Sequence, residues 1–241
     1  MKTTVRIAAL VLATAAATLG CTAQADQTTD KLKTTLQARL GDATVKSIEK
    51  SPIPGLYEVN LGSQIVYSDA AGDYVLLGDL VDTKTRKNLT EARMAEINKV
   101  DFASLPLNNA IKYVKGNGAR KIAVFSDPNC PYCKRFESTL QSMDNITVYT
   151  FLYPVLTPDS TVKSKAIWCA SDRAKSWENW MVGHQPPSGA GNCDTSALDK
   201  NLALGRGLNV TGTPTIILAD GTRLPGAVSA DQLNSALAAV K

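Results

Sequence analysis

Short apolar runs and helical periodicities alternate along this 241-residue chain. Leu32, Leu36 and Leu40 recur every fourth position, which predicts a short amphipathic helix over residues 30–40 with Gly41 as its stop. Residues 56–61, 64–68 and 74–78 are rich in Val, Ile, Tyr and Leu and are separated by the turn signals Gly62-Ser63 and Asp69-Ala-Ala-Gly72. They predict a small antiparallel sheet. Asn88-Leu-Thr-Glu91 has the form of a capping box and leads into good helix formers up to Val100, so a connecting helix is expected. Ile122, Ala123, Val124 and Phe125 form a continuous apolar run, the mark of a strand buried on both faces, and residues 146–152 read as a second apolar strand. A helix between them, including residues 137–141, gives a strand-helix-strand unit suited to parallel pairing. Residues 160–205 read as mostly helical. Strand character returns at residues 215–218, Asp220-Gly221 marks a turn into a strand over 223–225, and Ser229-Ala-Asp-Gln232 is a capping box for a last helix.

The pattern divides the chain into a signal segment (1–25), an N-terminal domain (26–87), a linker helix region (88–115) and a second domain (116–241) with a helical insertion at about 160–205. Lys2 and Arg6 precede an uncharged run from Ile7 to Gly20, which reads as an export signal. The run is shorter than the roughly 20 apolar residues of a membrane-spanning helix. Cleavage after Ala25 is the expected processing, with lipid attachment at Cys21 the alternative. So small a first domain buries a marginal core, and pairing of two copies is expected to supply the rest. With 26 Lys/Arg against 22 Asp/Glu and no basic cluster, no nucleic-acid partner is expected.

The cysteines bring in the chemistry. Either processing scheme removes Cys21 as a free thiol, leaving Cys130, Cys133, Cys169 and Cys193, two pairs suited to an oxidising compartment. In Cys130-Pro131-Tyr132-Cys133 the first thiolate attacks a substrate disulfide and the second resolves the mixed disulfide. A helix start favours an anion at the first cysteine, and Pro131 fits the first helical position, where no N–H is needed. Cys130 is the expected nucleophile and Cys133 the more shielded resolving thiol. A zinc site would need further ligands at close spacing, and the only histidine is the distant His184, so no metal is expected. Cys169 and Cys193, 24 residues apart in the helical insertion, suit a structural bridge. Pro214, opening an apolar strand after Thr213, is a candidate cis proline. Asp127 is read either as a tuner of the thiols or as a turn residue before Pro128, and Trp168, Trp177 and Trp180 as packing residues.

Four segments together resemble the DsbC/DsbG family of periplasmic disulfide isomerases, more closely its DsbC branch: Ser126-Asp-Pro-Asn-Cys-Pro-Tyr-Cys133, Ala166-Ile-Trp-Cys-Ala170, Asn192-Cys-Asp194 and Gly212-Thr-Pro214. The resemblance implies a thioredoxin fold with a helical insertion, preceded by a small cystatin-like α+β dimerisation domain and a linker helix. It implies a V-shaped homodimer in the periplasm whose cleft holds misfolded or misoxidised proteins. It also implies no cofactor, a DsbD-type membrane thiol reductase as the partner that keeps Cys130 reduced, and a substrate groove lined by Pro131, Tyr132, Thr213 and Pro214. Pro131 is a departure, because Gly-Tyr is the familiar dipeptide of the DsbC branch and Pro-Tyr that of DsbG. It keeps open a DsbG-like reduction of sulfenylated cysteines, beside a holdase chaperone with secondary thiol activity.

Overall fold

The computed structural model describes residues 20–189 and 191–240, with side chains from residue 27 onward except Pro225. The export signal expected at the N-terminus lies outside this description, as do the Cys21 and Ala25 side chains at which its processing is expected. Two compact units meet between Thr90 and Glu91.

In the first unit, helix α1 (Gly20–Arg39) precedes strands β1 (Ser47–Lys50), β2 (Leu56–Asn60), β3 (Ile65–Asp69) and β4 (Val75–Leu76). The strands form an antiparallel sheet in chain order. Leu32 and Leu36 of α1 bury against Val45, Tyr57, Val59 and Val66, and Gly41 leaves the helix at φ 61°. The helix begins ten residues before its expected start, in a stretch that contains no Gly or Pro after Gly20. A small hairpin, β5 (Val81–Asp82) with β6 (Lys87–Asn88), follows the sheet, and α2 (Leu89–Ile97) spans the division between units.

The second unit holds a five-stranded sheet of β7 (Ile111–Lys115), β8 (Arg120–Ser126), β9 (Ile146–Leu152), β10 (Thr215–Leu218) and β11 (Arg223–Pro225), in the order β11-β10-β8-β9-β7. Only β8 and β9 run parallel, joined by α3 (Pro131–Gln141). Helices α4 (Pro158–Trp168), α5 (Arg173–Met181) and α6 (Ser196–Gly207) form the insertion, and α7 (Ala230–Ala239) closes the chain behind a Ser229/Gln232 capping box. The apolar run of β8 has the cause its pattern suggests. Ile122 and Val124 bury into the core under α3 and α7, whereas Ala123 and Phe125 bury on the opposite face, where Phe125 stacks on Phe151 at 5.0 Å. Burial of each of the Ile, Val and Phe side chains contributes roughly 1.5–3 kcal/mol.

The linker region is shorter than expected, and the second unit starts well before residue 116. Helix α2 ends at Ile97, two single 3-10 turns follow, and residues 111–115 form β7, paired along its length with β9. This strand sits at the sheet edge and carries Lys112 and Lys115, charges that edge strands tolerate and that dilute the apolar signal. Strand β1, with Glu49 and Lys50, escapes a sequence reading for the same reason.

Candidate active site

The chain leaves β8 at Ser126 and enters α3 through Asp127, Pro128 and Asn129. Asp127 holds this turn. Its fully buried carboxylate accepts from the backbone N–H of Asn129 (2.8 Å), Val155 (2.8 Å) and Leu156 (3.0 Å) and from the Ser160 hydroxyl (2.7 Å). Four donors offset the cost of placing a charge out of water, and they tie the turn to the segment after β9 and to α4. Asn129 adds bonds from Nδ2 to Asp159 Oδ2 (2.8 Å) and Thr157 Oγ1 (3.1 Å), and Trp180 Nε1 donates to the Pro128 carbonyl at 2.6 Å.

Cys130 is the N-cap of α3, in extended conformation, with Pro131 in the first turn. Its thiol donates to the Thr213 carbonyl at 3.2 Å, and the Thr213–Pro214 peptide that opens β10 is cis. Cys133 lies one turn further into the helix with no exposed surface, and neither cysteine is bonded to another. Burial pushes the Cys133 thiol up to about 12, against a partial pull downward from the Ser126 hydroxyl and the Asp127 backbone. Pro131 and Tyr132 face solvent, Tyr132 at 62 % exposure, whereas Pro214 is buried and Thr213 half-buried. Of the four residues expected to line the groove, two thus project at the helix start, and Thr213, followed by the cis Pro214, meets Cys130 from the opposite loop.

A disulfide joins Cys169 to Cys193 with a Cα–Cα distance of 5.5 Å. It fastens the end of α4 to the segment leading into α6, assisted by Trp168 Nε1 donating to the Asp194 carbonyl at 3.1 Å. Trp168 packs in the same buried cluster as Cys130, Cys133, Trp177 and Met181, so the insertion forms one wall behind the thiols. His184 is exposed in a turn after α5, and the described residues contain no group of three or more His, Cys, Asp or Glu able to hold a metal.

Three features of the site have no counterpart in the sequence reading. Ser160 and Asn129 enter through pairings 28 to 33 residues apart. Trp180 is an anchor of the loop before Cys130 as well as a packing residue. Glu137 is buried, its Oε1 accepting from Trp177 Nε1 at 2.7 Å. Its signal was present in the spacing: Cys133, Glu137 and Leu140 recur at i, i+4 and i+7 on the buried face of α3.

Comparison with known proteins agrees with this geometry. The family described as "Thioredoxin-like domain" matches residues 107–241, and the one described as "Disulfide bond isomerase protein N-terminal domain" matches residues 22–91. The chain is 47% identical over 213 residues to the probable thiol:disulfide interchange protein DsbC of Bordetella pertussis, covering 88% of this chain and 75% of that one. It is 29% identical over 202 residues to the thiol:disulfide interchange protein DsbC of Escherichia coli, covering 79% and 81%. Among solved structures, a disulfide interchange protein from Neisseria gonorrhoeae superposes with a TM-score of 0.53 at 40% identity, over 56% of this chain and 96% of that one.

Proposed function

Because this chain belongs to the DsbC family of thiol:disulfide interchange proteins, we propose that Cys130 is its nucleophile and Cys133 its resolving thiol. The Cys130 thiolate attacks one sulfur of a substrate disulfide, forming a Cys130–substrate disulfide and releasing the other substrate sulfur as a thiolate. Two exits follow. In isomerisation a substrate thiolate attacks the substrate sulfur of the mixed disulfide, a new substrate disulfide forms, and the Cys130 thiolate leaves. In reduction Cys133 loses its proton and attacks Cys130 Sγ, giving a Cys130–Cys133 disulfide and a reduced substrate.

The observation that carries the reading is the placement of the pair. Cys130 caps α3 with its thiol at the Thr213 carbonyl, and Cys133 lies one turn behind it with no exposed surface, where burial pushes its thiol upward. A reluctant resolving thiol prolongs the mixed disulfide and gives the substrate time to rearrange. Pro131, Tyr132, Thr213 and Pro214 form the groove around that intermediate, and the Cys169–Cys193 bridge holds the insertion that backs it.

We assign the first unit to homodimerisation. Its edge strand β4 leaves Leu76 59 % exposed, with Tyr74 and Leu77 flanking it at 79 % and 71 %, a pattern that invites pairing with a second copy. The working compartment in this reading is the periplasm, the substrates are misoxidised exported proteins, and a DsbD-type membrane reductase returns Cys130 to the thiol. Among the described residues no helix is long and apolar enough to cross a membrane.

The test is recovery of activity from a scrambled multi-disulfide protein. Wild type is expected to restore it, Cys130→Ala to fail, and Cys133→Ala to accumulate a trapped covalent complex with substrate. Equal recovery by wild type and Cys130→Ala overturns the assignment.

A further inference from the structure

Beside the nucleophile loop the structure gathers charge that thiol exchange itself does not use. Lys134 lies four residues beyond Cys130, one helical turn, on the same side of α3. Its ammonium sits 4.0 Å from the centre of the Trp180 indole, and the Lys163 ammonium sits 4.8 Å from that centre. The indole is fixed by its bond to the Pro128 carbonyl, two residues before Cys130, so the ring and both cations are tied to the loop that carries the nucleophile.

The charges do not balance. Asp159 pairs with Lys163 and also accepts from Asn129. Lys134 has no carboxylate partner among the described residues, and partial burial, with Lys163 adding to it, holds its ammonium below the ordinary lysine range. The other carboxylate of the loop, Asp127, faces inward and is occupied by four donors. An uncompensated ammonium on a rigid aromatic platform, half-buried one turn from the reacting sulfur, favours an incoming anion.

We propose that Lys134, Lys163 and Trp180 form a carboxylate-reading subsite, through which the protein selects disulfides flanked by Asp or Glu over those flanked by Lys or Arg. The occupant is an acidic side chain of the substrate polypeptide. An extended chain advances roughly 3.3 Å per residue, so a residue about two positions from the substrate cysteine spans the one-turn separation of Cys130 and Lys134. The proposal rests on Cys130 being the nucleophile and adds the substrate class.

Three synthetic disulfide peptides test it, identical except for two Glu, two Gln or two Lys placed two residues from the cysteines. Their reduction by the reduced full-length protein is followed as kcat/KM at low salt and at high salt. Wild type is expected to prefer the Glu over the Lys peptide roughly tenfold at low salt, with the ratio collapsing toward one at high salt. In a Lys134→Gln/Lys163→Gln variant the ratio falls to near one, while the rate with the Gln peptide stays within about twofold of wild type. A wild-type ratio near one, or a ratio preserved in the double variant, overturns the subsite. Failure of wild type to reduce even the Gln peptide overturns the assignment of Cys130 instead, so the two failures are distinguishable.

Discussion

Glu137 offers a direct test of how the catalytic unit stores proton-linked stability. Burial pushes its carboxyl from an ordinary 4.5 up to about 7, with the Trp177 N–H pulling the other way and Glu178 adding a smaller push upward. Between those two values the native protein holds a proton that the unfolded chain has already released. Stability from this group is therefore complete below pH 4.5, declines as pH rises through about 7, and is flat above. Each pH unit in that window is worth about 1.4 kcal/mol, so the whole loss is on the order of 3 kcal/mol. Glu137→Gln keeps an acceptor for Trp177 and cannot ionise. All three tryptophans lie in the second unit, so their fluorescence during urea unfolding reports on this unit. The variant is expected to match wild type near pH 5 and to exceed it at pH 8 by about 2–3 kcal/mol, a rise of roughly 1–2 M in the urea midpoint. Parallel stability-against-pH curves for the two proteins from pH 5 to 8 would refute the reasoning.

Two further outcomes follow from the contacts. Asp127→Ala leaves three backbone N–H groups and the Ser160 hydroxyl without their acceptor, and is expected to cost at least about 3 kcal/mol and to slow reduction of a small disulfide even in molecules that remain folded. Thermal unfolding and single-turnover rates check both parts, and an unchanged rate in folded protein removes Asp127 from its role in positioning Cys130. Replacing both Cys169 and Cys193 with Ala opens a loop of sequence separation 24 and is expected to lower stability by roughly 3–4 kcal/mol in denaturant titrations while Cys130 still forms mixed disulfides. Loss of mixed-disulfide formation in the folded variant contradicts a purely structural bridge.

Much of the catalytic unit was legible because its central strands bury both faces. Residues 122–125 are apolar without a break, and residues 146–152 are interrupted by the buried Thr147 and Thr150 alone, so both segments stand out as strands. The N-cap of α3 was legible for a local reason too, since Cys130-Pro131 is a helix start written in two residues. The edge strands β1 and β7 were not, because they carry lysines where solvent allows them, and β7 consequently reads as linker. The support of the loop before Cys130 was hidden for a different reason. Asp127 meets Val155, Leu156 and Ser160 only after β9 has paired beside β8, so no local window contains the pattern. Lys134 and Trp180 are likewise joined by the packing of α5 near the start of α3, and either residue alone reads as an ordinary helix position.

The loop that presents Cys130 is held from outside the motif, by Asp127, Asn129 and Trp180, while Pro131 and Tyr132 project into solvent. Tyr132, exposed between the cysteines, is the position where the motif can change its face to a substrate while the contacts that aim the sulfur, made by Asp127, Asn129 and Trp180, stay in place.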